Sequence, residues 1–274
     1  MEQRHIIYLL LAIMIAIPYI QPIGIPVETS KMTRDFYNKL KSLPEGSAVV
    51  LMVDVGLGSW VELGPATVAV LQHLLDLPIK LLISGGSAEL PVVWEYTLEQ
   101  GNIKLGDNKY GEDYVVLGFI TGGEPAAAAL ADNLHLTKED QYGTPLEEIP
   151  MMKDLRTAAD VKVVLSIMAG TQEEWYLRQW RAPYGTDVGI IVSAVTTALA
   201  MTYYVSGQIF GMVNSLRGGA EYELLISKPG KGVVGTDMLS LSHLLLVGLL
   251  IIGNIQLLYE KFSGTRKPEE KTGG

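Results

Sequence analysis

The chain has 274 residues and a mass of 29.8 kDa, room for one large domain with anchors or for two small domains. Its 21 Lys and Arg stand against 30 Asp and Glu, and the net charge of −9 excludes a nucleic-acid binder held by phosphate neutralisation; the absence of cysteine excludes disulfide frameworks, thiolate catalysis, zinc–cysteine sites and iron–sulfur clusters. A mean hydropathy of +0.25 with only 19% charged residues is too apolar for an ordinary soluble domain, so membrane segments are expected.

Residues 1–27 read as a first transmembrane anchor. Ile6 to Ile17 runs without a charged side chain, and the apolar character continues to Val27, enough to span a bilayer core of about 30 Å. Pro18, Pro22 and Pro26 each remove a backbone donor, which predicts a helix that frays or kinks after Ile17. Arg4 followed by this run also resembles a signal peptide, but no small-x-small cleavage site follows, which favours an uncleaved anchor.

Residues 28–227 alternate between short β-branched runs and helical spacing. Ala48 to Val55 ends in Gly56 and Gly58, and a helix is predicted over Glu62 to Leu77 with Pro65 in its first turn. Ile79 to Ile83 ends in Ser84, Gly85 and Gly86 and precedes a helix over Leu90 to Glu99. Tyr114 to Ile120 ends in Thr121, Gly122 and Gly123 and precedes a helix over Glu124 to Leu134. Val161 to Ile167 ends in Ala169, Gly170 and Thr171 and precedes a helix over Gln172 to Arg181. The apolar run Val188 to Val205 is long enough to be weighed as a span, but its β-branched start reads as a buried strand to Val195 turning into a helix that reaches about Leu216. Five such units predict a parallel sheet of about five strands with helices on both faces, Rossmann-like or flavodoxin-like.

Residues 228–238, rich in Gly and Lys, read as a linker. Residues 239–259 (LSLSHLLLVGLLIIGNIQLLY) form a second transmembrane helix, and 260–274 a polar tail. His243, Asn254 and Gln256 within this span point to helix association or to the headgroup zone.

In an open parallel sheet, ligands bind outside the carboxyl ends of the strands, near a change of strand order. Every predicted strand here ends in small or hydroxylated residues. The ligand-binding candidates on the first two ends are Asp54, Gly56, Gly58, Ser84, Gly85 and Gly86. On the later ends they are Thr121, Gly122, Gly123, Glu124, Gly170, Thr171 and Ser193. Tight turns and helix caps require the same residue types without any ligand. Asp54 with Glu124 or Glu173 could make a carboxylate pair for acid–base or Mg²⁺ chemistry. The run after Asp54, Gly56-Leu57-Gly58-Ser59-Trp60-Val61, lacks the third glycine of a dinucleotide fingerprint, no Walker A sequence exists, and His5, His73, His135 and His243 are too scattered for a metal cluster or a catalytic triad. No metal and no cofactor is therefore assigned. Trp175 and Trp180 with Arg178 and Arg181 read as a packed helix face. Gly207 to Glu223 reads as a helix whose Gly207, Gly211, Gly218 and Gly219 would let another helix approach closely.

The strings Tyr110 to Gly118 (YGEDYVVLG), Gly143-Thr144-Pro145 leading to Ile149 to Lys153 (IPMMK), Ala169-Gly170 with Glu174-Trp175, Pro183-Tyr184-Gly185, Gly207-Gln208, Arg217 to Glu223 (RGGAEYE), Lys228-Pro229-Gly230 and Ser242-His243 occur in a specific order along nearly the whole chain. In this the chain resembles an uncharacterised prokaryotic family of membrane-anchored proteins. The resemblance implies one α/β domain between two terminal transmembrane helices and brings no activity with it. One departure is Thr171-Gln172-Glu173 in place of a Gly-containing turn, which weakens a ligand role for Thr171.

Two anchors, no catalytic motif and Gly-rich helix faces predict a membrane-tethered binding or assembly module. Its expected partners are the lipid bilayer and either a second copy or another membrane protein. The alternative is a membrane-bound enzyme acting on a nucleotide or phosphorylated small molecule, and it requires Asp54, Ser84, Thr121 and Thr171 to converge on one pocket. A solute-binding protein would need two lobes, and one is found. Basic residues near the two spans balance overall, but Lys31, Arg34 and Lys39 against Arg4 at the first span predict a cytoplasmic domain.

Overall fold

A computed structural model describes residues 3–26, 28–106 and 108–263. Its α/β unit, Pro26–Val233, is built on six strands: β1 (Ala48–Val53), β2 (Lys80–Gly85), β3 (Tyr114–Phe119), β4 (Val161–Met168), β5 (Asp187–Val192) and β6 (Gly211–Asn214). All neighbours pair in parallel in the order β3-β2-β1-β4-β5-β6. This is the doubly wound Rossmann order; a flavodoxin-like sheet would run 2-1-3-4-5.

The apolar strands alternate their side chains between two cores, as the two-residue pleat requires. Val50 and Met52 of β1 face one core with α5 (Glu124–Asp132), α6 (Glu173–Tyr176) and α8 (Thr197–Val205). Val49, Leu51 and Val53 face the other with α2 (Lys31–Lys41), α3 (Trp60–Asp76), α4 (Leu90–Gln100) and α9 (Ser215–Leu225). Burial on both faces is why the strands read as near-continuous apolar runs. After α6 the helix widens into a π-turn over Leu177–Arg181 and closes with α7 (Ala182–Tyr184). Trp180 in that turn is fully buried and donates from Nε1 to the Ala127 carbonyl, so it is a packing residue, while Arg178 of the same turn is exposed.

Three predicted elements are corrected. The helix expected from Thr197 to about Leu216 stops at Val205, and β6 follows. Gly211 therefore lies in a strand, not on a helix face. A Cβ there would come within 2.5 Å of the Phe36 backbone nitrogen, because α2 crosses this strand closely. Pro65 lies inside α3 and not in its first turn, since the helix starts already at Trp60 after a 3₁₀ turn over Leu57–Ser59. The expected linker 228–238 is mostly helix, since α10 (Lys231–Phe262) begins three residues into it.

On the α2–α3–α9 side, His73 is buried, stacked on Tyr37 at 4.9 Å between ring centroids, with Nδ1 at 2.7 Å from the Tyr222 hydroxyl. Burial pushes its pKa down to about 4. The neutral ring is thus the native form, and its stabilising contribution is present above about pH 6.5 and lost as pH falls towards 4, by at most about 3 kcal/mol. Denaturation of the full chain at a series of pH values is expected to show this loss. His73→Asn, whose Oδ1 can stand in for Nδ1 towards Tyr222, should flatten that part of the profile; an unchanged slope would remove His73 as its cause.

The second unit comprises residues up to Ile25 and those from Val234 onwards. α10 is long and apolar enough to cross a membrane, and no residue of its most apolar stretch is buried. α1 (Gln3–Ile20) is a shorter apolar helix, so among the described residues one of the two expected spans meets that length. It runs on through Pro18 to Ile20 and does not break after Ile17. The Asp237 carboxylate of α10 is buried and accepts the N–H groups of Ile23, Gly24 and Ile25 at 2.8–2.9 Å, fixing the segment that follows α1. Residues 264–274, most of the expected polar tail, lie outside the described residues.

Candidate functional site: the carboxyl edge of the sheet

The strand order reverses between β1 and β4, so the crevice expected to hold a ligand lies at their carboxyl ends. Asp54, the residue after β1, is found there. Its Oδ2 accepts the Ser166 hydroxyl of β4 at 2.8 Å and the Tyr176 hydroxyl of α6 at 2.7 Å, while Oδ1 accepts the Gly86 N–H at 2.9 Å. Burial raises the carboxyl pKa against the opposing pull of Tyr176, Gly86 and Ser166. Asp54 therefore ties together β1, the turn after β2, β4 and α6. Gly85 makes this approach possible, because a Cβ there would lie 2.1 Å from the Val53 carbonyl oxygen.

The glycine turn after β1 is where this fold receives a dinucleotide's phosphates, with backbone N–H groups turned to the ligand. In this chain Glu89 already occupies that position: its carboxylate accepts the Leu57 N–H at 2.8 Å and lies where a Cβ of Gly56 would be, 2.5 Å away. Glu62 does the same after β5, accepting the Ala194 N–H at 2.5 Å. Three of the chain's own carboxylates, Asp54, Glu89 and Glu62, thus take donors of the turns after β1, β2 and β5. The crevice bounded by Met52, Asp54, Gly86, Gly123, Trp175 and Tyr176 has a volume of about 10 Å³, room for about one water molecule.

Of the remaining candidates only Gly123 shares the small crevice with Asp54 and its Gly85-Gly86 turn. The buried Ser84 hydroxyl donates to the Gly118 carbonyl inside the sheet at 2.9 Å. Thr121 and Thr171 are exposed on their turns, and Gly58 has open space where a Cβ would be. Gly122 and Gly123 have φ of +129° and +62° and serve the turn into α5, while Gly170 is covered by the Gln172 side chain. Ser193 is buried, and its Oγ lies 3.0 Å from the Thr196 hydroxyl at the start of α8. Glu124 makes a two-point ion pair with Arg178 at 2.8 and 2.9 Å and accepts from Gln179. Those bonds hold its pKa down at about 2. Glu173 is buried, which raises its pKa, and its Oε2 has no partner among the described residues.

Asp54 and Glu124 are thus separate structural groups, not a working carboxylate pair. Among the described residues no group of three or more His, Asp or Glu side chains could hold a metal ion. The edge is instead rimmed by apolar side chains. Val61 and Val195 are each 87% exposed and are the chain neighbours of the bonded Glu62 and Ala194; Leu199, one turn on from Val195 in α8, is 58% exposed. Ser166 and Tyr176 escaped the sequence reading, although a serine inside the apolar run VKVVLSI signals a buried hydroxyl that needs an acceptor. Glu62 and Glu89 carry no such local signal. The chain matches no family model, no curated protein and no solved structure.

Proposed function

We propose that this protein is a membrane-tethered α/β assembly module, anchored at both ends with its domain on the cytoplasmic side, which docks a second copy of itself through the carboxyl edge of the sheet. The observation that carries the reading is the exposure of Val61, Val195 and Leu199 on an edge where Asp54, Glu62 and Glu89 each take a backbone donor of the turns after β2, β5 and β1. Clustered, exposed large apolar side chains on a folded domain favour a protein contact, whereas an anionic ligand would meet three carboxylates. The nucleotide-enzyme alternative loses support, because Asp54, Ser84, Thr121 and Thr171 do not share a pocket. The cytoplasmic placement follows the excess of Lys31, Arg34 and Lys39 over Arg4 around the first apolar helix.

Light scattering of the full chain in mild detergent tests the assembly. The wild type is expected to be oligomeric, and the double variant Val61→Asp, Val195→Asp to be monomeric with an unchanged circular dichroism spectrum. A monomeric wild type without a co-purifying partner, or an oligomer indifferent to the double variant, would overturn the reading. Protease treatment of oriented vesicles tests the sidedness, with digestion from the cytoplasmic face expected.

A further inference from the structure

A second cavity, of about 170 Å³, lies along α3 and shares no wall residue with the crevice beneath Asp54. Its apolar wall is Trp60, Pro65 and Val68 of α3 with Pro229 of the turn between α9 and α10. The Trp60 ring lies directly over Gly64, where a Cβ would come 2.5 Å from it, and packs edge-on against Tyr96 at 5.2 Å between centroids. The volume is comparable to the roughly 150 Å³ apolar cavity that admits benzene, so it suits an apolar body of about six to eight non-hydrogen atoms.

The rim has a different character. Lys228 and Lys231 reach across from the α9–α10 turn, Lys228 to Asp76 at the end of α3 and Lys231 to the Gln100 side-chain oxygen at the end of α4. Gln72 donates to the Gly101 carbonyl. Each ammonium has further N–H groups beyond the one it uses, and the Gln100 amide nitrogen is a further donor. The two carboxylates nearby are already engaged. Asp76 is paired with Lys228, and the buried Glu223 carboxylate accepts the N–H groups of Gly230, Gly232 and Val233, each at 2.8 Å. Both ammonium groups keep donor capacity at this mouth, and Lys231 carries a charge that its neutral partner Gln100 does not offset.

We infer that this cavity binds a small amphipathic anion, a carboxylate or phosphate on an apolar body, with the body against Trp60 and Val68 and the anionic group on Lys231 and Lys228. Such a group could belong to a soluble metabolite or to a lipid, and the chemistry at the mouth is the same for both.

Calorimetric titration of the full chain in phosphatidylcholine nanodiscs tests the site, with 3-phenylpropionate as probe and 3-phenylpropanol and inorganic phosphate as controls. The expected result is saturable binding of 3-phenylpropionate and weaker binding of both controls. Lys231→Gln, an exposed position, should bind roughly tenfold more weakly through loss of a charge-assisted hydrogen bond. Val68→Trp, which fills the cavity, should abolish binding while thermal unfolding reports whether the fold is kept. No binding to the wild type, phosphate binding as tight as that of the probe, or an unaffected Lys231→Gln would each overturn the inference. Competition by phosphatidylglycerol added to the discs would identify a lipid as the source of the anion, and its absence a soluble one.

Discussion

Asp54→Ala is expected to destabilise the α/β domain by about 3 kcal/mol, because it leaves two buried hydroxyl donors without an acceptor and removes the bond that holds the Gly86 turn. The Tyr176 hydroxyl is fully buried and would keep no acceptor, while Ser166 sits mid-strand with no room to turn to water. Asp54→Asn retains one oxygen, which can accept both hydroxyls, but turns an amide N–H₂ towards the Gly86 N–H; a smaller loss of about 1–2 kcal/mol is expected. Denaturant unfolding of the full chain measures both. The contrast with a ligand-serving carboxylate is sharp: removing a group strained for function leaves stability unchanged or raises it. An Asp54→Ala variant as stable as the wild type would return Asp54 to the list of functional groups.

The elements legible in the sequence are those whose local pattern and tertiary role coincide. The strand runs before Gly56, Ser84, Thr121 and Ala169 were readable because burial on both sides makes them continuous and the turns after them must be small. β6 was not readable. Its four residues sit in a stretch whose glycines at 207, 211, 218 and 219 mimic a helix-packing pattern, and only the close passage of α2 over Gly211 explains the glycine there. Gly219 has a similar cause, since a Cβ would meet the Ala66 backbone nitrogen at 2.8 Å across the α3–α9 contact.

The edge chemistry was half legible for a related reason. Asp54 was found from its position after the first strand. What it does depends on Ser166 and Tyr176, more than a hundred residues away, and nothing in the local sequence joins them. Glu62 and Glu89 look like ordinary first-turn and surface acids. Only the fold shows that each lies over a turn whose backbone donors would otherwise face a ligand.

Glu223→Ala is expected to have the second large effect, at the point where the α/β domain hands over to α10. The first N–H groups of a helix have no partner within it, and here the buried Glu223 of α9 supplies the acceptor for Gly230, Gly232 and Val233. Alanine leaves the buried Gly232 and Val233 donors unpaired, a loss of about 2–4 kcal/mol, and hydrogen exchange should show protection disappearing first at 232 and 233. The carboxylate also responds to pH. Burial raises the Glu223 pKa in spite of the three backbone bonds, so the folded state binds the proton more tightly than the unfolded chain. Its contribution is greatest below the ordinary glutamate range and is lost as pH rises through the raised value. Glu223→Gln keeps a carbonyl oxygen for part of the cluster and removes the titration, so its stability should be lower than that of the wild type but flat over that pH interval. An alanine variant that retains protection at 232 and 233 would show that the start of α10 is held by packing and not by this carboxylate.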